Sequence, residues 1–393
     1  MRLISFSISN YRSFKNEQQI VFGSDRKNVT TIYGPNGAGK TNLFYALNFF
    51  CNFIRTSTKF EGQTLPYEIF LLNKNAKIIP TTFEAEFVAK KRQFKYRFSI
   101  LDSKIIEESL GSKDIGSDHK YDTIFSRPTI PKGNYGEFYK DVLKRTRDDA
   151  LVLTKAWEDN DKNALEVFEW LASFKIMNMN QIPITRSKTA EKIMTDNNFK
   201  IRVLNLMKRA DLFIQDVTVS EAQIPKRFID QLPLNDEAKK IMSGTGFVIS
   251  TTHLLRDDDG SVIGTVPMSM GSHESAGTQR IFELAFPILN TIDEGGILYM
   301  DEFENDLHPS ECKFLVSLFE KENPNHAQLI INTHSTILQD QVGRDNIRLL
   351  SKNNNEETII SEVPKTIKPG DPAIERKYNK GMLGAVPAIR GAK

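Results

Sequence analysis

A glycine-rich segment near the N-terminus has the residue types and spacing of a phosphate-binding loop. It reads Gly-Pro-Asn-Gly-Ala-Gly-Lys-Thr over residues 34–41 and fits the pattern G-x-x-x-x-G-K-T in full. Glycines let backbone N–H groups converge on phosphate oxygens, and the helix that follows adds its positive dipole end. In such a loop the lysine reaches the β- and γ-phosphates, and the threonine hydroxyl binds Mg²⁺. The predicted ATP contacts are Gly34, Pro35, Asn36, Gly37, Ala38, Gly39, Lys40 and Thr41.

Two adjacent carboxylates follow an apolar run, residues 297–300, much later in the chain. This run is typical of a buried strand that presents Asp301 and Glu302 at its C-terminal tip, where ligands bind in parallel sheets. Beside a phosphate loop, Asp301 is expected to hold Mg²⁺ together with Thr41. Glu302 is expected to act as the general base that deprotonates the attacking water.

A serine-led segment and one histidine lie on either side of these carboxylates in the chain. Residues 275–279 read Ser-Ala-Gly-Thr-Gln, which by itself indicates a helix start with a serine N-cap. His334 follows the apolar run 328–331, where a neutral imidazole can sense or polarise a γ-phosphate. On the residues alone, each of these features could also be purely structural.

Hydrophobic patterns around these positions predict an α/β protein. The β-branched and aromatic residues of 29–33 predict a strand that enters the phosphate loop, and the alternating runs 82–88 and 94–100 predict an antiparallel hairpin. Apolar residues at helical spacing predict helices over about 141–210. From about residue 276 to 331, helices and strands alternate, which indicates a parallel sheet.

Together these segments resemble the ABC-type ATPases of the SMC, RecF and overcoming-lysogenization-defect group. Residues 10–14, Asn-Tyr-Arg-Ser-Phe, are similar to the N-terminal element of that group. Residues 301–309 and 378–387 resemble the ATPase subunits of anti-phage abortive-infection systems of the RloA/AbiL type. The resemblance implies an ABC-type P-loop NTPase fold with a mostly parallel core sheet, an antiparallel β side lobe and an inserted helical subdomain.

The resemblance also implies roles for individual residues. The family's signature motif falls on residues 275–279, so that Ser275, Gly277 and Thr278 would bind a nucleotide held by a second copy. Arg12 would approach bound nucleotide, and His334 would serve as a catalytic switch. The chain would then be a homodimer, or a higher even oligomer, that assembles through ATP. Because the sequence shows no nuclease motif, nucleophilic triad or zinc site, a separate effector protein, which we expect to be a nuclease, would carry out the destructive step.

Two other functions fit the same residues. A clamp of the RecF or SMC kind would contact DNA in repair or replication, and its binding would weaken steeply with salt. An ATP-binding scaffold would hydrolyse little, although the intact Asp301-Glu302 pair favours hydrolysis. Candidate phosphate contacts for a clamp are Lys90, Lys91, Arg92, Lys95, Arg97 and Lys104.

Composition is that of an ordinary globular protein. Lys plus Arg number 52 against 50 Asp plus Glu, so no overall field attracts nucleic acid or anionic lipid. There is no signal-peptide pattern and no apolar run of about 18 residues, so we expect a cytoplasmic protein with no membrane contact. Cys51 and Cys312 are expected to be small core residues.

The chain of 393 residues is too long for one ordinary core. We expect the N-terminal part of an ATPase domain over residues 1–140 and a mainly helical insertion over 141–243. The C-terminal part of the ATPase domain would span 244–364, and a tail would span 365–393.

Overall fold

The computed structural model describes residues 1–22, 28–60, 64–127, 137–178, 182–210, 213–223, 245–368, 371 and 373–385. Contacts divide the chain into two compact units. The first unit comprises Met1–Met177, Thr291–Phe303 and Leu315–Lys393, and the second comprises Asn178–Asn290 and Glu304–Phe314. The domain boundaries at residues 140, 243 and 364 stay predictions.

The elements of the described residues are named here in chain order. The strands are β1 (Arg2–Ser9), β2 (Gln18–Val21), β3 (Val29–Tyr33), β4 (Thr81–Ala89), β5 (Arg92–Leu101), β6 (Lys104–Asp114), β7 (Asp122–Arg127), β8 (Phe174–Met177), β9 (Asp216–Gln223), β10 (Thr245–Arg256), β11 (Val262–Ser269), β12 (Ile297–Met300), β13 (Gln328–Asn332), β14 (Ile347–Lys352) and β15 (Thr358–Glu362). The helices are α1 (Lys40–Thr56), α2 (Glu137–Arg145), α3 (Val152–Glu158), α4 (Lys162–Ser173), α5 (Ile182–Thr195), α6 (Asn197–Arg209), α7 (Ala276–Glu294), α8 (Pro309–Lys321), α9 (Gln339–Val342) and α10 (Ile374–Asn379).

A mostly parallel sheet in the first unit has the strand order β15-β14-β3-β13-β12-β8. Neighbours from β14 to β8 run parallel, and only β15 is antiparallel to its neighbour. Strands β3, β12 and β13 are buried along their whole length. Because parallel strands end at the same edge, the residues that follow β3, β12 and β13 meet there. The parallel core sheet predicted from the sequence is confirmed.

Strand β8 is one element that the sequence did not predict. Phe174 continues the apolar spacing of the preceding helix, but α4 ends at Ser173 and the chain turns directly into this four-residue strand. Its pairing with β12 is long-range, from Phe174 beside Ile297 to Met177 beside Met300. A strand this short has no detectable period of its own, so only the tertiary pairing defines it.

An antiparallel sheet in the first unit has the order β2-β1-β4-β5-β6-β7. It confirms the predicted side lobe, including the hairpin of β4 and β5. Aromatic rings join this sheet to α1: Phe50 of α1 lies 5.5 Å from Phe6 and stacks on Phe98 at 5.6 Å between ring centroids. This packing buries one face of α1 and fixes the helix whose first two residues complete the phosphate loop.

The second unit contains α5, α6, most of α7 and a three-stranded antiparallel sheet with the order β11-β10-β9. The rings of Phe199 on α6 and Phe286 on α7 lie 6.2 Å apart. The dipeptide Asp259-Gly260 lies in the turn between the paired antiparallel strands β10 and β11.

Cys51 and Cys312 are both buried free cysteines, as expected for small core residues. In the C-terminal tail, Tyr378 of α10 packs its ring 5.8 Å from Tyr33, so this part of the tail docks on its own unit.

In the described part of the chain, no helix is both long enough and apolar enough to cross a membrane.

Candidate nucleotide site

The phosphate loop connects β3 to α1 in the order that its sequence predicts. Gly39 is the N-cap of α1 and has a φ of 107°, which favours glycine. Gly34 has no room for a side chain, because a Cβ there would lie 2.3 Å from the Leu350 carbonyl oxygen. Gly34 and Gly39 are therefore needed for the conformation and packing of the loop, in addition to leaving its backbone accessible to phosphate.

Lys40 is buried at the first position of α1. Its Nζ donates a hydrogen bond of 2.7 Å to the Gly34 carbonyl and a longer one of 3.4 Å to the Pro35 carbonyl. The ammonium group thus lies inside the curve of the loop, where a phosphate would meet it together with the start of the helix.

Asp301 lies at the tip of β12, largely buried, and its amide donates a 3.0 Å hydrogen bond to the Met177 carbonyl at the end of β8. The Asn332 amide donates to Asp301 Oδ1 at 2.8 Å, and the Thr41 hydroxyl also hydrogen-bonds to this carboxylate. Burial raises the pKa of Asp301, and the hydrogen bonds from Asn332 and Thr41 act in the opposite direction. A buried carboxylate of this kind gains from a nearby cation.

These donors fit a magnesium ion. Asp301 and Thr41 offer a carboxylate and a hydroxyl oxygen side by side at the loop, and Mg²⁺ prefers oxygen ligands, of which the protein usually supplies one or two. The remaining ligands of such an ion are commonly water and substrate phosphate.

Asn332 is a site residue that the sequence interpretation missed. Besides Asp301, its side-chain amide donates to the Lys40 carbonyl at 3.1 Å, and its oxygen accepts from the buried Tyr299 hydroxyl at 3.0 Å. It therefore joins β12, β13 and α1 directly beneath the loop. The sequence feature that could have identified Asn332 is its position: it is a polar residue at the end of an apolar strand in a predicted parallel sheet.

Glu302 and His334 both line the same cavity as the loop. Glu302 adopts a φ of 54°, a left-handed conformation that costs roughly 1–2 kcal/mol for a residue with a side chain. This backbone turn separates the exposed Glu302 side chain from the buried one of Asp301. His334 is exposed, and the carbonyl of the next residue, Ser335, accepts a 3.1 Å hydrogen bond from the Tyr33 hydroxyl.

The cavity has a volume of roughly 180 Å³ and brings together segments that are far apart in the chain. Its lining residues are Pro35, Asn36, Gly37, Ala38, Gly39, Lys40, Thr41, Asn42, Asp301, Glu302, Asn332 and His334. The Lys40 ammonium group, the phosphate loop, the Asp301–Thr41 pair and the exposed Glu302 carboxylate thus surround one space, and their roles toward a nucleotide stay predictions.

Arg12 is not among the lining residues. Its guanidinium group pairs with Glu68 at 2.9 Å and lies over the Tyr45 ring of α1 at 4.3 Å. Its φ of 47° belongs to a tight turn closed by hydrogen bonds between Tyr11 and Phe14. Its contact with nucleotide stays a prediction.

The predicted signature residues lie in the second unit. The Ser275 hydroxyl accepts a 3.1 Å hydrogen bond from the Thr278 amide at the start of α7, the expected N-cap. A Cβ on Gly277 would lie 3.1 Å from the Asp306 carbonyl oxygen, so this position favours glycine. The start of α7 is therefore a well-formed helix N-terminus, and its proposed contact with nucleotide stays a prediction.

A second feature that sequence reasoning missed immediately precedes Ser275. Glu274 Oε1 accepts hydrogen bonds from the Thr251 hydroxyl and, at 2.7 Å, pairs with His253 Nε2. Both partners are on β10, so the sheet of the second unit fixes the residue before the helix start. No sequence pattern relates these positions, because the contact is purely tertiary.

Several of the cations proposed to contact DNA already have carboxylate partners. Lys90 pairs with Glu169 at 2.7 Å and Arg92 with Glu166 at 2.9 Å. Lys95 and Arg97 both pair with Glu84. This surface is thus charge-balanced to a large extent.

Comparison with known proteins places the chain in a family. Residues 29–340 match the family model described as AAA domain, putative AbiEii toxin, Type IV TA system. This match covers more than half of the chain and includes every residue that lines the cavity. The chain belongs to this AAA family.

Two curated relatives resemble nearly the whole chain of this family member. The Retron Vc95 probable ATPase of Vibrio cholerae is 23% identical, and the match covers 90% of this chain and 74% of the relative. The endonuclease GajA of Bacillus cereus is 22% identical, and the match covers 99% of this chain but only 65% of GajA.

The fold is also found in a solved structure. The SMC head bound to the C-winged helix domain of ScpA aligns with a TM-score of 0.50 and 12% identity, over 93% of this chain and 99% of that chain. The likeness confirms the predicted fold class, an ABC-type P-loop ATPase head with a mixed α/β structure.

Replacing Asn332 by Ala is expected to raise the Mg²⁺ concentration needed for nucleotide binding by about 10- to 100-fold in this AAA protein, because the partner that orients Asp301 is lost. The measurement is a Mg²⁺ titration of ATP-analogue binding by fluorescence.

Asn323 provides a matched control for this substitution. Its amide donates to the Phe319 and Ala327 carbonyls at 2.9 and 2.8 Å, in the same unit but outside the cavity lining. Asn323→Ala should lower thermal stability without changing the Mg²⁺ requirement. An Asn332→Ala protein with the wild-type Mg²⁺ dependence would show that Asn332 does not orient the metal ligand.

Proposed function

We propose that this chain is an ATP-binding and ATP-hydrolysing subunit that acts as a dimeric switch in prokaryotic anti-phage defence. The observation that carries the proposal is the single cavity in which the phosphate loop, Asp301, Glu302 and His334 meet. Membership of the AAA family supports nucleotide binding independently of this geometry.

Within one copy, the roles follow from position. Lys40 and the loop amides would hold the phosphates, while Thr41 and Asp301 would hold Mg²⁺, which neutralises phosphate charge when bound. Glu302, exposed at the cavity, would orient the attacking water and accept its proton. His334 would contact the γ-phosphate from the end of the neighbouring strand β13. We expect turnover to be low.

A second copy would complete each pocket. Ser275 caps α7, and Gly277 and Thr278 lie in its first turn, where the partial positive charge of a helix N-terminus favours an anion. The start of α7 would thus bind the γ-phosphate held by the other copy. A nucleotide that contacts both copies stabilises the closed dimer by its differential affinity for that state.

The destructive reaction is proposed to belong to a separate effector, expected to be a nuclease. Among the relatives, one is named a probable ATPase and another an endonuclease, and the match covers only 65% of the endonuclease. The cavity described above supplies the means for nucleotide hydrolysis. A DNA clamp is less well supported, because Lys90, Arg92, Lys95 and Arg97 are ion-paired.

The proposal is tested by the ATP dependence of assembly. When ATP and Mg²⁺ are added, the molar mass of the Glu302→Gln protein measured by light scattering should double. The molar mass of the Lys40→Ala protein should be the same with and without nucleotide. Proteins that co-purify with Glu302→Gln but not with Lys40→Ala would then be identified by mass spectrometry. A Glu302→Gln protein whose mass is unaffected by ATP would contradict the dimeric switch.

A further inference from the structure

Two hydroxyl groups from distant parts of the chain, both in the first unit, contact the phosphate loop and its helix. Neither of the two residues lines the cavity. Ser13 and Thr358 are both buried, and their hydroxyl oxygens lie 2.7 Å apart. Thr358 Oγ1 lies 2.9 Å from the Ala38 carbonyl oxygen, and the Asn42 amide donates to Ser13 Oγ at 2.8 Å. The two hydroxyls thus link the loop to the first turn of α1.

The hydrogen bonds in this link can run in only one direction. A carbonyl oxygen only accepts, so the single hydroxyl hydrogen of Thr358 must go to Ala38 when that bond forms. Ser13 then donates to Thr358 and accepts from the Asn42 amide. Each group in the chain has a partner, so the arrangement is fully satisfied inside the protein.

This link fixes the orientation of one peptide group. In a trans peptide the C=O and N–H point in opposite directions. Since the Ala38 carbonyl points at Thr358, the Gly39 N–H of the same peptide points away from Thr358, and Gly39 lines the cavity. A Cβ on Gly39 would lie 2.3 Å from Thr358 Oγ1, so the threonine is packed directly against the loop.

Other contacts hold the two hydroxyl residues in place. The Thr358 amide donates a 2.8 Å hydrogen bond to the Ser13 carbonyl. Beside them, Lys15 pairs with the buried Glu357 carboxylate at 2.7 Å. The turn of residues 10–14 and the start of β15 are therefore joined by main-chain, hydroxyl and ionic contacts.

We propose that Ser13 and Thr358 are positioning residues for nucleotide binding, which aim the Gly39 N–H at a phosphate of bound ATP. The inference rests on the proposed ATP-binding function and extends it to two residues outside the loop. Neither residue lines the cavity, so their effect is exerted through the orientation of the 38–39 peptide.

The test compares two substitutions at position 358 by titration with the fluorescent nucleotide mant-ATP and Mg²⁺. Thr358→Val keeps the side-chain shape but removes the donor to Ala38, and should raise the Kd about tenfold, the loss expected for one hydrogen bond to a phosphate-binding element. Thr358→Ser keeps the hydroxyl and should bind nearly as the wild-type protein does.

A second buried pair in the same unit supplies the control. Thr154 Oγ1 donates to the Ile54 carbonyl at 2.6 Å and lies 2.7 Å from Ser57 Oγ, so it copies the Thr358 arrangement at the far end of α1. Thr154→Val should lower thermal stability to a similar extent without weakening mant-ATP binding.

The possible results separate this inference from the proposed function. Unchanged binding by Thr358→Val, or equal weakening by Thr154→Val, would overturn the positioning role while leaving ATP binding intact. A wild-type protein that fails to bind mant-ATP would overturn both.

Discussion

The Glu302→Gln variant is expected to hydrolyse ATP about 10²- to 10⁴-fold more slowly than the wild-type protein, the range that a positioned general base contributes. The amide has nearly the shape of the carboxylate but cannot accept a proton from water. ATP binding should persist, because the Lys40 side chain and the loop amides are unchanged. Phosphate release and mant-ATP binding measure the two effects separately.

Glu356 is a matched control for this substitution. It is also an exposed glutamate with positive φ, at 60°, but it does not line the cavity. Glu356→Gln should therefore hydrolyse ATP at the wild-type rate. If Glu302→Gln retained wild-type turnover, the proposed role of Glu302 as the general base would have to be abandoned.

Mixing two inactive variants should restore ATP hydrolysis if each pocket is shared between copies. Lys40→Ala removes the loop cation, and Ser275→Arg places a bulky side chain at the start of α7. In a mixed dimer, the intact loop of one copy faces the intact Ser275 of the other. An equal mixture should regain about a quarter of wild-type activity, since half of the randomly formed two-fold dimers are mixed and each has one working site.

The specificity of this result can be checked with a different pair. Lys40 and Glu302 line the same cavity in the same unit, so a mixture of Lys40→Ala with Glu302→Gln should stay inactive. Ser275→Arg also removes the N-cap of α7, which should lower the free energy of unfolding by roughly 1 kcal/mol. The melting temperature of this variant is therefore measured first, to establish that it is folded. Differently tagged copies confirm that mixed dimers form. Their failure to hydrolyse ATP would contradict the shared pocket.

Local sequence predicted most of the residues that line the cavity. Residues 34–41 specify a strand, a glycine loop and a helix start, because each step depends on neighbouring residues and on backbone conformations that glycine permits. Asp301 and Glu302 were predicted at a strand tip since a short apolar run ends immediately before them. The structure brings these groups together, and their catalytic roles stay predictions.

The supporting contacts could not be predicted in this way. Asn332 orients Asp301 across two neighbouring strands, and β8 pairs with β12 although its four residues have no period. Glu274 takes its partners from β10. In each case the signal is a spatial contact between segments that the sequence alone does not relate.

The sequence by itself indicated the family, the phosphate loop and the strand that ends at Asp301, because those depend on short runs of neighbouring residues. Only the tertiary structure decided which residues support the phosphate loop through hydrogen bonds. Ser13 and Thr358 are 345 positions apart, and they meet because β14 and β15 extend the parallel sheet next to β3. Long-range strand pairing is set by how the whole chain packs, and for that reason the residues that hold the loop in shape could be identified only from the fold.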